Sequence, residues 1–161
     1  MAVDMFLKID GCDGESVDDS HPDEIDVIAF SWGMTQSGSM HIAGGGGSGK
    51  VSVQDMSITK YVDKASTVLM QKCCSGKHFP TAVFICRKAG DMPIEYFKVT
   101  MEEVMVSSVT EGGASTGQDK QTENISLNFA KVKVEFTPQL ADGSAGAASE
   151  LGWNIMANVE M

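Results

Sequence analysis

The sequence is poor in basic residues: 12 lysines and arginines stand against 22 aspartates and glutamates, a formal net charge of −10 over 161 residues. This deficit argues against nucleic acid and anionic membrane surfaces as partners, because both are themselves polyanions. Long apolar runs are missing too, and none approaches the roughly 20 residues that a membrane-spanning helix requires. The opening MAVDMFLKIDG lacks a basic region, a long apolar region and a small-residue cleavage site, so we expect no signal peptide.

Paired cysteines are also missing. The chain has four cysteines but no C-x-x-C pair: Cys12, Cys73, Cys74 and Cys86. Structural zinc sites usually grow from closely spaced ligand pairs, so this pattern predicts no zinc site. We expect reduced cysteines, most of them buried as small apolar residues, in a protein that folds in the cytosol.

Catalytic patterns are absent as well. No serine lies in a G-x-S-x-G elbow, and Glu102 and Glu103 point to opposite sides of a predicted strand, so they cannot form an acid–base pair. His21, His41 and His78 share no short spacing and are expected at the surface. The sequence therefore predicts no enzyme, no metal site and no cofactor.

What the chain does have is alternation of apolar and polar residues, which is typical of strands. Strands are predicted at 3–9, 24–34, 51–62, 79–89, 94–109, 122–137 and 153–161. One helix is predicted over 63–77, with Asp63 as N-cap, Ala65, Leu69 and Cys73 on one face, and Gly76 in the closing left-handed position. This pattern indicates one mainly β domain over 1–161, a barrel or sandwich with a helix outside.

The segment TENISLNFAKVKVEFT at 122–137 contains an irregularity. Its apolar positions change phase between Phe129 and Ala130, so the buried face changes sides there. We expect a β-bulge, or a strand that leaves one packing partner for another.

The stretch GGGGSGKV at 44–51 resembles a phosphate-binding loop, G-x-x-x-x-G-K-[ST]. The magnesium-ligating position is Val51, however, and the following residues alternate as a strand where a helix is required. The sequence therefore predicts no nucleotide site. It favours a projecting hairpin arm whose edges are covered by a partner subunit. Composition also predicts flexible loops at 38–50, 112–120 and 141–149.

Seven stretches, in order from Met1 to about Val159, resemble one family. They are MAVDMFLKIDGCDGES, EIDVIAFSWGMTQSGSMH, GGGGSGKVSVQDMSITKYVDKAS, SGKHFPTAVFICRKAG, EVMVSSV, TENISLNFAKVKVEF and GWNI. Together they resemble the haemolysin-coregulated protein (Hcp) family of bacterial type VI secretion systems.

The resemblance implies a β-barrel of two sheets with one flanking helix and a long projecting hairpin loop. It implies hexameric rings that stack into an inner tube, which a contractile sheath propels behind a spike protein. It further implies export without a signal peptide, from the cytoplasm to the extracellular space or a target cell, and small effectors held in the ring lumen. Because the sequence ends at Met161 without a toxin domain, the plain structural form is expected.

The resemblance also implies roles for particular residues. It places Ser31, between Phe30 and Trp32, at a lumen position associated with cargo, although a small residue tolerated on a solvated strand would look the same. It assigns the arm at 38–50 to contacts between subunits. The arm residues concerned are Gly38, Ser39, Met40, His41, Gly44, Gly45, Gly46, Gly47, Gly49 and Lys50.

The residue pattern alone leaves a second function open: a monomeric β-barrel that holds a small ligand inside it. Size-exclusion chromatography separates a monomer from a ring.

Overall fold

The fold is mainly β. The computed structural model describes residues 2–38, 40–41, 49–117 and 120–161. Its strands and single helix, in chain order, are β1 (Val3–Ile9), β2 (Ile25–Asp26), β3 (Ala29–Ser31), β4 (Met34–Thr35), β5 (Ser52–Val53), β6 (Met56–Tyr61), α1 (Ala65–Ser75), β7 (Phe79–Lys88), β8 (Glu95–Gly112), β9 (Thr122–Asn128), β10 (Lys131–Phe136), β11 (Ser149–Asn154) and β12 (Val159–Glu160).

The larger sheet has the order β2–β1–β7–β8–β10–β11–β12, and every pair in it is antiparallel. The predicted hairpin at GDMP joins β7 to β8, and the Lys88 N–H donates to the Ile94 carbonyl at its base. This sheet uses residues 95–104 of β8.

The smaller sheet has the order β3–β6–β9–β8 and uses residues 105–112 of β8. The long strand β8 therefore belongs to both sheets. Glu103, where β8 changes partners, has a φ of 55°, a left-handed value that is uncommon for a residue other than glycine. The sheets are thus joined by a kinked strand.

The chain crosses between the sheets a second time at Val27 and Ile28. The Val27 N–H donates to Met5 of β1, and the Ile28 N–H donates to Thr59 of β6. No ladder joins β2 to β6 in the described part of the chain, so the predicted barrel of two sheets is not closed by continuous hydrogen bonding.

The prediction of one strand over 24–34 is wrong in detail. This segment forms β2 in the larger sheet, β3 in the smaller sheet and β4 in the arm. Both faces of the segment carry apolar residues because the chain changes sheets within it.

The phase change at Phe129 and Ala130 is confirmed. The predicted strand divides there into β9, which pairs with β6 and β8, and β10, which pairs with β8 and β11. Phe129 is buried, and the Ala130 N–H donates to the Glu102 carbonyl. A single run of chain thus passes from one sheet to the other.

The predicted helix is confirmed as α1, but the predicted N-cap is wrong: Lys64 rather than Asp63 occupies that position. Asp63 Oδ1 accepts the Ala65 N–H at 3.0 Å, and Gly76 closes the helix with a φ of 69°. Ala65 and Leu69 are buried against the core, and Cys73 packs beside them. The helix packs against β8.

The space between the sheets is filled. Fully buried apolar side chains meet there from both sheets: Leu7, Ile25, Met56, Ile58, Phe84, Val99, Met101, Ile125 and Leu127. Cys12 and Cys86 are buried among them, and burial raises the pKa of each thiol to about 11, so both behave as small apolar groups.

The expectation of surface histidines is wrong for His21, which is 4% exposed. Its ring stacks on Phe6 at 4.4 Å between centroids. Its Nδ1 lies 2.9 Å from a Glu24 carboxylate oxygen, and its Nε2 lies 2.8 Å from one of Glu95. His21 therefore ties the loop before β2 to the start of β8.

Candidate functional site

The outer face of the smaller sheet is lined in its middle by small polar residues, with Met105 and Tyr61 exposed toward its ends. Alternation along β6 and β9 turns Met56, Ile58 and Ile125 into the core, so the residues between them point outward. Strand register then places four serines in one row across β3, β6, β9 and β8: Ser31, Ser57, Ser126 and Ser108. We call this surface the serine face.

A second row lies beside the serines. Ala29, Thr59, Asn124 and Thr110 are partners in register across the same four strands. The Thr59 hydroxyl donates to Asn124 Oδ1 at 2.7 Å. This row completes the serine face with hydroxyl and amide groups.

The serine face also carries one carboxylate, Asp55, just before β6. Ser107 donates its hydroxyl to one Asp55 oxygen at 2.7 Å, and Asn128 Nδ2 donates to the other at 2.8 Å. Both oxygens are therefore occupied by neutral neighbours. The serine face, as defined by these three groups of residues, is hydrophilic and has one charge that is already solvated by protein.

Ser31, singled out in the sequence, is exposed on this face. Its neighbours point the other way: Phe30 packs on Phe84 at 4.5 Å between ring centroids, and Trp32 packs on Phe129 at 6.3 Å. The aromatic–serine–aromatic pattern therefore anchors β3 from one side and leaves Ser31 free on the other. Ser57, Ser108 and Ser126 were missed, because their register depends on strands far apart in sequence.

Two short strands flank the glycine-rich stretch, of which residues 42–48 lie outside the described part of the chain. β4 and β5 pair antiparallel at its base, with Met34 opposite Val53 and Thr35 opposite Ser52. A strand rather than a helix thus follows Lys50, as the sequence predicted. A Cβ at Gly49 would lie 1.9 Å from Ser37 Oγ, so a larger residue there would require the Ser37 side chain to move.

The predicted contact residues of the arm are only partly covered by the structure. Gly38, Met40, His41 and Lys50 are exposed, and Gly49 is half-buried. Ser39, Gly44, Gly45, Gly46 and Gly47 lie outside the described residues. Met40 is 84% exposed, which is unusual for a large apolar side chain.

A second surface is apolar. The larger sheet continues past the core onto β10 and β11, and its inner face there carries Phe136, 47% exposed, and Leu151, 42% exposed. Phe136 lies beside Phe97 in register, and Leu151 lies beside Val134. Phe30 of β3 stacks on Phe97 at 6.1 Å between ring centroids, whereas Phe136 and Leu151 lie farther out and stay more than two-fifths exposed. We call Phe136, Leu151 and their half-buried neighbours Phe97 and Val134 the apolar edge.

Behind the smaller sheet lies a buried ion cluster. Lys60 is fully buried and donates to Glu123 and to Asp63 Oδ1, the latter at 2.8 Å. Ser66 of α1 donates to Glu123 Oε1 at 2.5 Å. Burial opposes the charge on Glu123, but hydrogen bonds with Glu111, Lys60 and Ser66 outweigh burial and lower its pKa.

A second ionic group holds the loop after β1. Arg87 donates to Asp18 and Asp4 and lies over the Phe6 ring at 5.1 Å. The hydrogen bond from Arg87 lowers the pKa of Asp18 to about 2. Arg87 is thus paired with Asp18 and Asp4, and this contact holds the loop in place.

Among the described residues there is no group of three or more histidine, cysteine or carboxylate side chains placed to hold a metal ion. Within those same residues, no helix has both the length and the apolar character needed to cross a bilayer.

Comparison with known proteins gives one consistent family. The family model described as "Type VI secretion system effector, Hcp" matches residues 6–136. Protein hcp1 of Pseudomonas aeruginosa is 57% identical over 99% of both chains. The crystal structure of Hcp1 from Salmonella typhimurium matches with a TM-score of 0.84 and 40% identity over 100% of both chains. A structure of a type six secretion system protein matches with a TM-score of 0.94 and 31% identity, over 99% of this chain and 100% of its own.

Proposed function

The chain belongs to the Hcp family of type VI secretion system proteins, and we propose that six copies form a ring that stacks into the inner tube. A contractile sheath would surround this tube and a spike protein would cap it. The lumen would hold small effectors and carry them, without a signal peptide, from the cytoplasm to the outside or into a target cell. One domain, 1–161, would do all of this.

The serine face carries the proposal for the lumen. A channel that passes folded cargo has to be wetted, without apolar patches that trap protein and without a fixed charge that selects one sign. The serine face meets the need for wetting with its hydroxyls and amides, and its one carboxylate, Asp55, is hydrogen-bonded by Ser107 and Asn128. We therefore assign this face, Ser31 included, to the channel wall.

The apolar edge and the arm support the proposal for subunit contacts. Phe136, Leu151 and Met40 expose large apolar side chains on a chain whose net charge of −10 otherwise favours a monomer. The arm and the edge are different surfaces, so a contact between them is head-to-tail. Such a contact closes into a ring when its rotation fits six copies.

The alternative function, a monomeric barrel that holds a small ligand, needs an empty space between the sheets. The positions between the sheets where a ligand would lie are occupied by fully buried side chains such as Phe84, Met101 and Leu127. A ligand-holding barrel needs that space empty.

Native mass spectrometry with negative-stain microscopy tests the ring. We expect a six-copy species and ring-shaped particles with a central channel. Monomers only, or dimers with twofold symmetry, would contradict the proposal.

Replacing Ser31 by glutamine tests whether the serine face lines the channel and contacts cargo. In a ring the change repeats on every subunit and narrows the channel with bulky amides, so we expect intact rings and a loss of effector retention of about tenfold, equivalent to about 1.4 kcal/mol. The measurement is pull-down of a small co-expressed effector, with ring size checked by chromatography on the same preparation.

Ser75→Gln is the matched control, because Ser75 is exposed at the end of α1. The control should retain cargo like the parent. Intact Ser31→Gln rings with full retention would show that the residue has no part in cargo binding, and collapsed rings would place it at a subunit contact.

A further inference from the structure

The buried ion cluster contains an acceptor that is not satisfied. Glu123 Oε1 accepts hydrogen bonds from Lys60 and Ser66, whereas Glu123 Oε2 is buried and meets no donor in the described part of the chain when carboxyl groups are taken as ionised. Buried carboxylate oxygens are normally hydrogen-bonded. A protonated group beside this oxygen would satisfy it.

Glu111 is the neighbour. It lies directly opposite Glu123 in the β8–β9 register, so the two side chains project from the same face of neighbouring strands, with Glu111 at the exposed end. On its other side, Gln121 Nε2 donates to Glu111 Oε2 at 3.2 Å. Two carboxyl groups in contact repel each other unless one of them carries a proton.

Among the described residues, the two nearby lysines are engaged with other groups. Lys60, from β6, is shared between Glu123 and Asp63. Lys120 borders the cleft beside Glu111, but its Nζ lies over the Tyr61 ring at 5.2 Å. Accordingly, the pKa of Glu111 is raised from 4.5 to about 7, first by the hydrogen bond with Glu123, then by burial and the charge of Glu123.

We propose that Glu111 keeps a proton, donates it to Glu123 Oε2, and so latches the outer end of the β8–β9 hairpin in a pH-dependent way. Loss of this proton to solvent leaves two facing carboxylates. The paired strand ends, residues 110–112 of β8 and 122–124 of β9, then open more often while the core stays folded. This inference concerns the folded chain and does not rest on the proposed ring.

The direction of the effect follows from the raised pKa. A group that holds its proton more tightly when folded stabilises the fold fully below its unfolded pKa, here about 4.5. That stabilisation is lost as the pH rises through about 7. The latch is therefore closed in mild acid and open above neutral pH.

Hydrogen exchange measured by mass spectrometry tests the latch on the full chain in its native assembly. After correction for intrinsic exchange, protection of the peptide spanning 110–123 should fall about tenfold between pH 6 and pH 8. This factor corresponds to a difference of one pKa unit in proton binding between the closed and the open state. In Glu111→Gln, whose amide donates to Glu123 without a titrating proton, protection should stay constant over this range.

Glu160→Gln is the matched control, because Glu160 is exposed on β12 and the substitution removes the same charge. This control should follow the parent. Equal pH dependence in the parent and in Glu111→Gln would overturn the proposal, as would a parent whose hairpin protection does not change with pH.

Discussion

Replacing Phe136 by aspartate should convert the ring into folded monomers. Phe136 is 47% exposed in the isolated chain, so its loss costs the core little, whereas an aspartate in a desolvated subunit contact would be unpaired. Interface anchors of this kind cost about 2–4 kcal/mol each, and every contact in a ring carries one. Chromatography with light scattering measures the mass, and circular dichroism measures the fold.

Met92→Asp serves as control, because Met92 is 63% exposed in the turn between β7 and β8, away from the apolar edge. It should leave the ring intact. If Phe136→Asp proves unfolded, Leu151→Asp carries the same test with a residue that is 42% exposed. Intact rings in both variants would exclude the apolar edge from the interface.

Replacing Glu123 by leucine should cost about 3–5 kcal/mol of folding free energy, because it leaves the Lys60 ammonium buried without its main partner. The double variant Lys60→Met/Glu123→Leu should recover most of this loss, since apolar side chains of similar size replace a buried pair at small cost. Denaturant unfolding at one fixed subunit concentration measures both, because assembly contributes to apparent stability.

Lys98→Met is the control for removing a lysine from a strand, since Lys98 is half-buried on β8 outside the cluster. A double variant no more stable than Glu123→Leu alone would mean that the cluster contributes through more than the pairing of these two charges.

Local pattern was enough for several regular elements, but not for the end of the chain, where the predicted strand 153–161 is wrong and the structure has β11 and β12. Strand β1 was predicted at 3–9 and observed as Val3–Ile9, and the closing role of Gly76 follows from its freedom to adopt a positive φ. The sheet change at Phe129 was readable because period-two alternation leaves no other explanation for the phase change.

The buried ion cluster could be predicted from the sequence only in part. Lys60 alternates with Met56 and Ile58, so the pattern of β6 placed it on the inner face, but lysine is rarely buried and its partner is 63 residues away. The serine row was not readable, because it depends on the register of four strands rather than on any one of them.

The chemistry of the serine face has a consequence for release. Hydroxyl and amide groups exchange one hydrogen bond for another with water, so each contact contributes only about 0.5–1.5 kcal/mol. In the proposed tube, cargo touching several subunits would be held by many such contacts, yet would break them one at a time while moving. Cargo would then slide along the channel wall with little resistance. It would leave an opened tube by diffusion, without a separate unloading step.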